Sequence, residues 1–317
     1  MPTCAQDVNH SALTAQGAPR SVMHFMGELF ETIVEIVRRT SAEIPKDVNQ
    51  GILRALEKEK KGSIAESALK IIDRNIELAE EKSQPLCQDT GSVLFYVNCP
   101  VGYNQLFFKE TACCAVTEAT NRGYLRQNSV DSLTGKNDGT NVGTGAPVFH
   151  FHQHLADHVE VRLILKGGGC ENVGAQYSLP STQLKANRDL EGCRKVVLDA
   201  VVQAQGKGCG PGVLGVCIGG DRATGYEHSK YQFLRKLDDK NENSELAELE
   251  ENILTTANKL GIGPMGFGGN TTLLGVKICA ANRVPASFFV SISYMCWAFR
   301  RHGAALESEG KIREWLY

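Results

Sequence analysis

Cys87, Gln88, Asp89 and Thr90 put a thiol, an amide, a carboxylate and a hydroxyl on consecutive positions. The segment that carries them, Pro85 to Gly91, lies between a helical stretch ending near Lys82 and an apolar run from Ser92 to Val97. Pro85 disfavours helix for Gln84, and Gly91 supplies the freedom of a tight turn before a strand. A metal ligand held there could reach a cleft, with Gln88 and Asp89 beside it to contact whatever the metal binds. A lone cysteine is more often a small core residue. Two others share its setting, however. Cys209 sits in the turn Gly208 to Gly212 just ahead of the apolar run Val213 to Gly220, and Cys296 ends a strand candidate that starts at Ala286. Structural zinc sites use closely spaced cysteine pairs and four ligands, a pattern these three do not have. Three thiolates from remote turns suit an iron–sulfur cluster better, since one iron then stays open as a Lewis acid. An open iron takes up a hydroxyl and a carboxylate, so loss or addition of water is its natural chemistry. Spacing alone leaves this beside the plainer reading of three packing cysteines.

Other stretches could also do chemistry. A polar, turn-rich segment carries Arg126, Asn128, Asp131, Lys136, Asn137, Asp138 and Asn141, and a long polar loop followed at once by an apolar strand is more often functional than disordered. In the strand region Pro147 to Leu165, period two places His150, His152 and His154 on one face, a set that could bind zinc or simply face water. Gly167, Gly168 and Gly169 follow Lys166 and let the backbone approach a ligand, although the run matches neither the phosphate-loop nor the dinucleotide fingerprint.

The elements that must position these residues read as α/β. The 317 residues are 42% hydrophobic and 22% charged with a formal net charge of −2, an ordinary globular balance that argues against a nucleic-acid partner. No apolar run reaches the length of a spanning helix, and the N-terminus lacks an export signal, so we expect no membrane and a cytoplasmic location. Eleven cysteines, an odd number scattered through helices and strands, fit a reducing compartment rather than a disulfide framework.

Residues 1–20 read as a flexible tail. Helical periodicity then runs from Val22 to Ala79, with breaks expected near Gly51 and Gly62. Strand candidates follow at 93–97, 147–165, 213–220, 271–280 and 286–293, and helices at 106–121, 184–204, 222–237 and 245–260. Cys217 reads as a core residue. The expected architecture is a helical N-terminal region packed on a mixed-sheet body, with the three cysteine turns converging on a cleft. The tail from Glu307 to Tyr317 is amphipathic and suits docking on a partner.

Several motifs in collinear order carry a resemblance. Cys87-Gln88-Asp89-Thr90-Gly91, Lys166-Gly167-Gly168-Gly169, the Cys209 turn, Leu260-Gly261-Ile262-Gly263-Pro264, Gly269-Asn270-Thr271-Thr272 and Cys296-Trp297-Ala298-Phe299-Arg300-Arg301 together resemble the iron–sulfur hydro-lyase family of class I fumarate hydratases and L(+)-tartrate dehydratases. The likeness covers roughly residues 25–303, with a catalytic domain expected at 21–303 and a tail at 304–317.

The resemblance implies that Cys87, Cys209 and Cys296 ligate a [4Fe-4S] cluster with one iron free of cysteine. It places Gln88 and Asp89 at the substrate and makes Arg126 the carboxylate-binding arginine, in keeping with the fit of a guanidinium fork to a carboxylate. Gly167, Gly168 and Gly169 would give backbone contacts. It further implies an α subunit completed by a separate β subunit that carries the base, in a higher oligomer of such pairs. The reaction would be hydration of fumarate to L-malate, a step of the tricarboxylic acid cycle, with L(+)-tartrate dehydration as the alternative. Two positions depart from the family pattern: Val284 stands where some members carry histidine, and Cys209 is followed by Gly-Pro where Pro-Pro is more usual. From a different class, a non-catalytic zinc- or thiol-binding protein would use the histidine face, and a structural subunit would tolerate loss of the three turn cysteines.

Overall fold

A computed structural model describes residues 20–307 and 310–317, with side chains from Gly27 onward. The tail expected at 1–20 lies outside the described residues but for Arg20, where the first helix begins. In chain order the helices are α1 (Arg20–Ala42), α2 (Lys46–Lys58), α3 (Ile64–Lys82), α4 (Gln105–Asn121), α5 (Gly168–Glu171), α6 (Leu190–Ala204), α7 (Arg222–Tyr231) and α8 (Ser244–Asn258). The strands are β1 (Ser92–Pro100), β2 (Val148–His154), β3 (Val159–Lys166), β4 (Ala175–Ser178), β5 (Gly212–Gly219), β6 (Leu273–Ala281), β7 (Phe289–Met295), β8 (Arg300–Leu306) and β9 (Ile312–Trp315). The chain is thus α/β, and its described residues form two compact units: one that starts from α1 and runs to Pro45, with Ile76–Lys166 and the segment from Arg300 onward, the other of Lys46–Asn75 and Gly167–Phe299.

The first unit is built on a mixed sheet of order β2-β1-β3-β8-β9, in which only the β1–β2 pair is parallel. Alternation along the strands sends Phe95, Val97, Val161, Leu163, Ala304 and Leu306 into one core, where they meet Leu29, Ile33 and Val37 of α1 and Phe108, Ala112 and Val116 of α4. The single strand region expected at 147–165 is two strands, because exposed residues 155–157 turn the chain so that β2 and β3 flank β1. The stretch expected as a tail at 304–317 belongs to this sheet: it completes β8 and supplies β9, whose Trp315 ring lies 3.9 Å beneath the Arg39 guanidinium.

His302 of β8 is 6% exposed, and its Nε2 has no hydrogen-bond partner. Burial lowers its pKa from 6.5 to about 4; a hydrogen bond with the Glu43 backbone works the other way, and Arg39, Arg301 and Arg38 add to the lowering. As pH falls through this window the unfolded chain binds a proton that the folded chain refuses. Stability therefore falls on acidification from 6.5 to about 4, by roughly 3 kcal/mol. Urea unfolding at pH 7 and pH 4.5 should show this loss in the wild type and a flatter profile in His302→Gln. An unchanged slope in the variant would assign the effect elsewhere.

The second unit holds a four-stranded mixed sheet of order β4-β7-β5-β6, with β5 and β6 parallel. Helix α7 lies so close to β5 that a methyl group on Gly215 would stand 2.1 Å from the Ser229 carbonyl oxygen. Gly51, expected to break a helix, sits inside α2, because its missing side chain makes room for Leu237 at 2.8 Å from where a Cβ would be. Helix α6 starts at Leu190 rather than Leu184: Asp189 caps it by accepting from Gly192 N at 2.6 Å, and Ser181 pairs with Ala186 ahead of it. The charged stretch after α7 is tied down rather than free, with Asp239 accepting from Arg235 and from the buried Lys277.

Candidate active site

In the first unit the Cys87 turn is anchored from behind. Leu86 is buried and its N–H donates to the Ser41 carbonyl at 3.0 Å, which leaves Cys87 half-buried and Gln88 exposed. Thr90 is buried and joins this turn to the polar loop. Its hydroxyl accepts from Arg126 N at 3.3 Å, and with the Asn128 amide oxygen turned inward it donates to Asn128 at 2.8 Å. The same oxygen accepts from the backbone N–H groups of Thr90 and Gly91 at 3.0 and 3.2 Å. Arg126 Nη1 donates to Gln88 Oε1 at 3.1 Å, so two residues 38 positions apart stand together.

Two residues outside the expected set hold this arrangement. Asn141, buried and at φ 59°, accepts from Asn128 N at 2.8 Å and donates to the Arg126 carbonyl at 2.6 Å and to Thr120 Oγ1 at 2.9 Å. Asparagine tolerates that left-handed backbone, so a position that looked like one polar loop residue among many is the clamp of the loop. Arg300, 1% exposed, donates from Nη1 to the Asp89 carbonyl at 2.8 Å. A sequence signal for it existed in the two arginines placed four and five positions after Cys296, but nothing local says that one of them reaches the Asp89 turn.

In the second unit the Cys209 and Cys296 turns are brought together: Trp297 N donates to the Cys209 carbonyl at 3.0 Å. Cys209 is half-buried in the left-handed region at φ 54° and ψ 60°. Its flanking residues are held by Met265 N donating to the Gly210 carbonyl at 2.9 Å and Gly212 N to the Thr272 carbonyl at 3.0 Å. The glycines of this turn have a steric cause. A methyl on Gly208 would lie 2.5 Å from the Tyr294 ring and one on Gly212 2.3 Å from it, so the buried Tyr294 is the wedge on which the Cys209 loop is moulded. Burial pushes the Tyr294 phenol up, and the thiols of Cys296, Cys170 and Cys209 around it push the same way. Gly167 stands at the N-cap of the short α5, with Gly168 and Gly169 exposed, while Cys170 is buried and donates to the Gly167 carbonyl at 3.1 Å.

Glu59 stiffens the same region from the end of α2. Its buried carboxylate accepts from Asn270 N and Thr271 N, both at 2.9 Å, and Thr272 in turn receives Gly212 N beside Cys209. Glu59→Ala leaves two backbone donors without partners, and we expect a loss of roughly 3 kcal/mol in urea unfolding. Glu59→Gln should lose less than half of that. Equal losses would show that the carboxylate is not what the loop needs.

The remaining expectations separate clearly. His150 stacks on Tyr96 with ring centroids 4.6 Å apart, His154 Nδ1 accepts from Ala156 N at 3.0 Å, and His152 is exposed. Among the described residues no three His, Cys, Asp or Glu side chains gather as a group for a metal ion. Cys87, Cys209 and Cys296 fit a cluster chemically: each is a half-buried thiol, outside any disulfide, in a turn beside a strand. Val284 is 64% exposed. A cavity of about 520 Å³ in the second unit is lined by Asp239, Glu250, Leu254, Val276 and Lys277 and includes no expected site residue.

These features meet a known pattern. The family described as fumarate hydratase (Fumerase) matches residues 30–305, and the chain belongs to that family. It is 53% identical over 296 residues to a Geobacillus stearothermophilus protein provisionally named fumarate hydratase class I, covering 92% of this chain and 58% of that protein. The chain therefore spans somewhat over half the length of that relative. It is also 34% identical over 290 residues to a Methanocaldococcus jannaschii protein provisionally named L(+)-tartrate dehydratase subunit alpha, covering 90% of this chain and 100% of that one. With the L(+)-tartrate dehydratase subunit alpha of Escherichia coli K12 it shares 30% identity over 282 residues, or 87% of this chain and 90% of that one.

Proposed function

We propose that this chain is the α component of a [4Fe-4S]-dependent hydro-lyase that reversibly hydrates fumarate to L-malate. The observation that carries the reading is the backbone bond joining the Cys209 and Cys296 turns, in a family member whose third expected ligand, Cys87, sits beside the Gln88–Arg126 pair. Cys87, Cys209 and Cys296 would hold the cluster. When bound, it supplies an open iron as a Lewis acid for a hydroxyl and a carboxylate.

The chain's own residues bind and orient. Arg126 offers a guanidinium fork to one carboxylate of the substrate, and Gln88, hydrogen-bonded to it, keeps the fork from swinging. Asp89 presents its carboxylate to the substrate from a turn whose carbonyl Arg300 holds, and Gly167, Gly168 and Gly169 offer backbone N–H groups. The base that removes the carbon-bound proton is assigned to a separate β subunit, because family relatives are named as α subunits. Dehydration of L(+)-tartrate is the second reading, favoured by the match over the full length of one such α subunit. Among the described residues no helix is long and apolar enough to cross a membrane, and we place the enzyme in the cytoplasm.

The test is anaerobic co-expression with a β-type partner, reconstitution with iron and sulfide, and assay of fumarate against L(+)-tartrate. Fumarate turnover at least tenfold above tartrate supports the first reading and the reverse supports the second. A colourless, inactive pair would overturn both.

A further inference from the structure

We propose that Cys217 and Cys279 form a peroxide-reactive thiol pair, with Cys279 as the attacking sulfur and Cys217 as the resolving one, closing to a disulfide between β5 and β6. The pair lies outside the residues of the hydro-lyase reading and does not depend on it. Cys217 and Cys279 are register partners on adjacent parallel strands, which sets their Cα atoms about 4.8 Å apart, inside the range a disulfide spans without backbone movement. Both side chains point to the face covered by α7, where Cys279 Sγ reaches the His228 carbonyl at 3.9 Å.

The members of the pair differ in access. Cys217 is fully buried and Cys279 is half-buried. Burial ordinarily raises a thiol, as at Cys193, which is pushed up to about 12. Cys279 departs the other way: the Cys217 thiol donates to it, and the Arg235 guanidinium favours its anion against the opposing effect of burial. Cys217, the donor, is held protonated. The accessible sulfur is thus the better nucleophile, and the shielded sulfur is placed to finish the reaction.

The oxidant is a hydroperoxide. The Cys279 thiolate attacks one peroxide oxygen, an S–O bond forms, the O–O bond breaks, and hydroxide leaves to take up the proton that Cys279 released. Cys279 becomes a sulfenic acid. The Cys217 sulfur then attacks it, the S–S bond forms, the S–O bond breaks, and hydroxide departs with the Cys217 proton as water. Two thiols and hydrogen peroxide give one disulfide and two waters.

The experiment treats the purified full chain with hydrogen peroxide, blocks remaining thiols with iodoacetamide and maps the peptides by mass spectrometry. The expected product is a cross-linked pair of peptides containing Cys217 and Cys279. Cys217→Ser should stop at a sulfenic acid on Cys279 that dimedone traps, and Cys279→Ser should give no adduct at Cys217. In the untreated wild type, native-state alkylation of Cys279 should run about tenfold or more faster than that of Cys193. Cys279 left reduced while other cysteines oxidise, Cys279 linked to a different cysteine, or equal alkylation of Cys279 and Cys193 would overturn the proposal.

Discussion

Alanine at Cys87, Cys209 or Cys296 is expected to abolish the broad visible absorption of the anaerobically reconstituted protein, and with it hydration of fumarate. Each thiol is the ligand of a separate iron in the proposed cluster, so no neighbour can take over its part. Loss of a Lewis acid that stabilises developing charge by several kcal/mol lowers the rate roughly a thousandfold or more. The fold should survive, because all three side chains are half-buried at turns whose backbones are held by other groups: Leu86 N on Ser41, Trp297 N on Cys209, and Met265 N on Gly210. Far-UV circular dichroism and thermal melting of the iron-free variants therefore serve as controls. Cys99 and Cys193, fully buried core cysteines, should leave the spectrum intact when replaced by serine or alanine if the protein folds. Full absorption and activity in any one turn variant would remove that cysteine from the ligand set.

The second large effect is expected at Arg126. Its guanidinium lies 3.1 Å from the Gln88 amide oxygen on an exposed rim, while its backbone is fixed by Thr90 and Asn141. Charge-assisted bonds from a fork to a carboxylate are worth about 3 kcal/mol together, so Arg126→Ala should lower kcat/KM roughly a hundredfold or more. Arg126→Lys keeps the charge but loses the planar fork, and we expect about a tenfold loss seen mainly in KM. Neither variant should change the visible spectrum. A normal KM for both, measured anaerobically with the partner subunit, would show that another cation binds the carboxylate.

Some of this arrangement was legible before any coordinates. Proline and glycine at Pro85 and Gly91 mark a turn through local sterics alone, and the resemblance carried by collinear motifs singled out Cys87, Gln88, Asp89, Arg126, Cys209 and Cys296 one by one. The α/β class followed from the change between helical and strand periodicity. Errors fell where a long-range contact overrode a local preference. Gly51 looked like a helix break, yet Leu237, far along the chain, uses its missing side chain. The stretch after residue 304 looked like a tail, yet it pairs with β8.

What the sequence by itself determined, then, is what residue type and short spacing decide: where turns fall and which stretches become helix or strand. The tertiary structure alone decided which of them meet. It paired Gln88 with Arg126, joined the Cys209 turn to Trp297, set Tyr294 as the wedge behind glycines, and gave Glu59, Asn141 and Arg300 their holding roles. It also set Cys217 opposite Cys279. Strand register and side-chain burial bring residues together across dozens of positions, and no propensity or period within a short window encodes which distant partner a buried polar group will find.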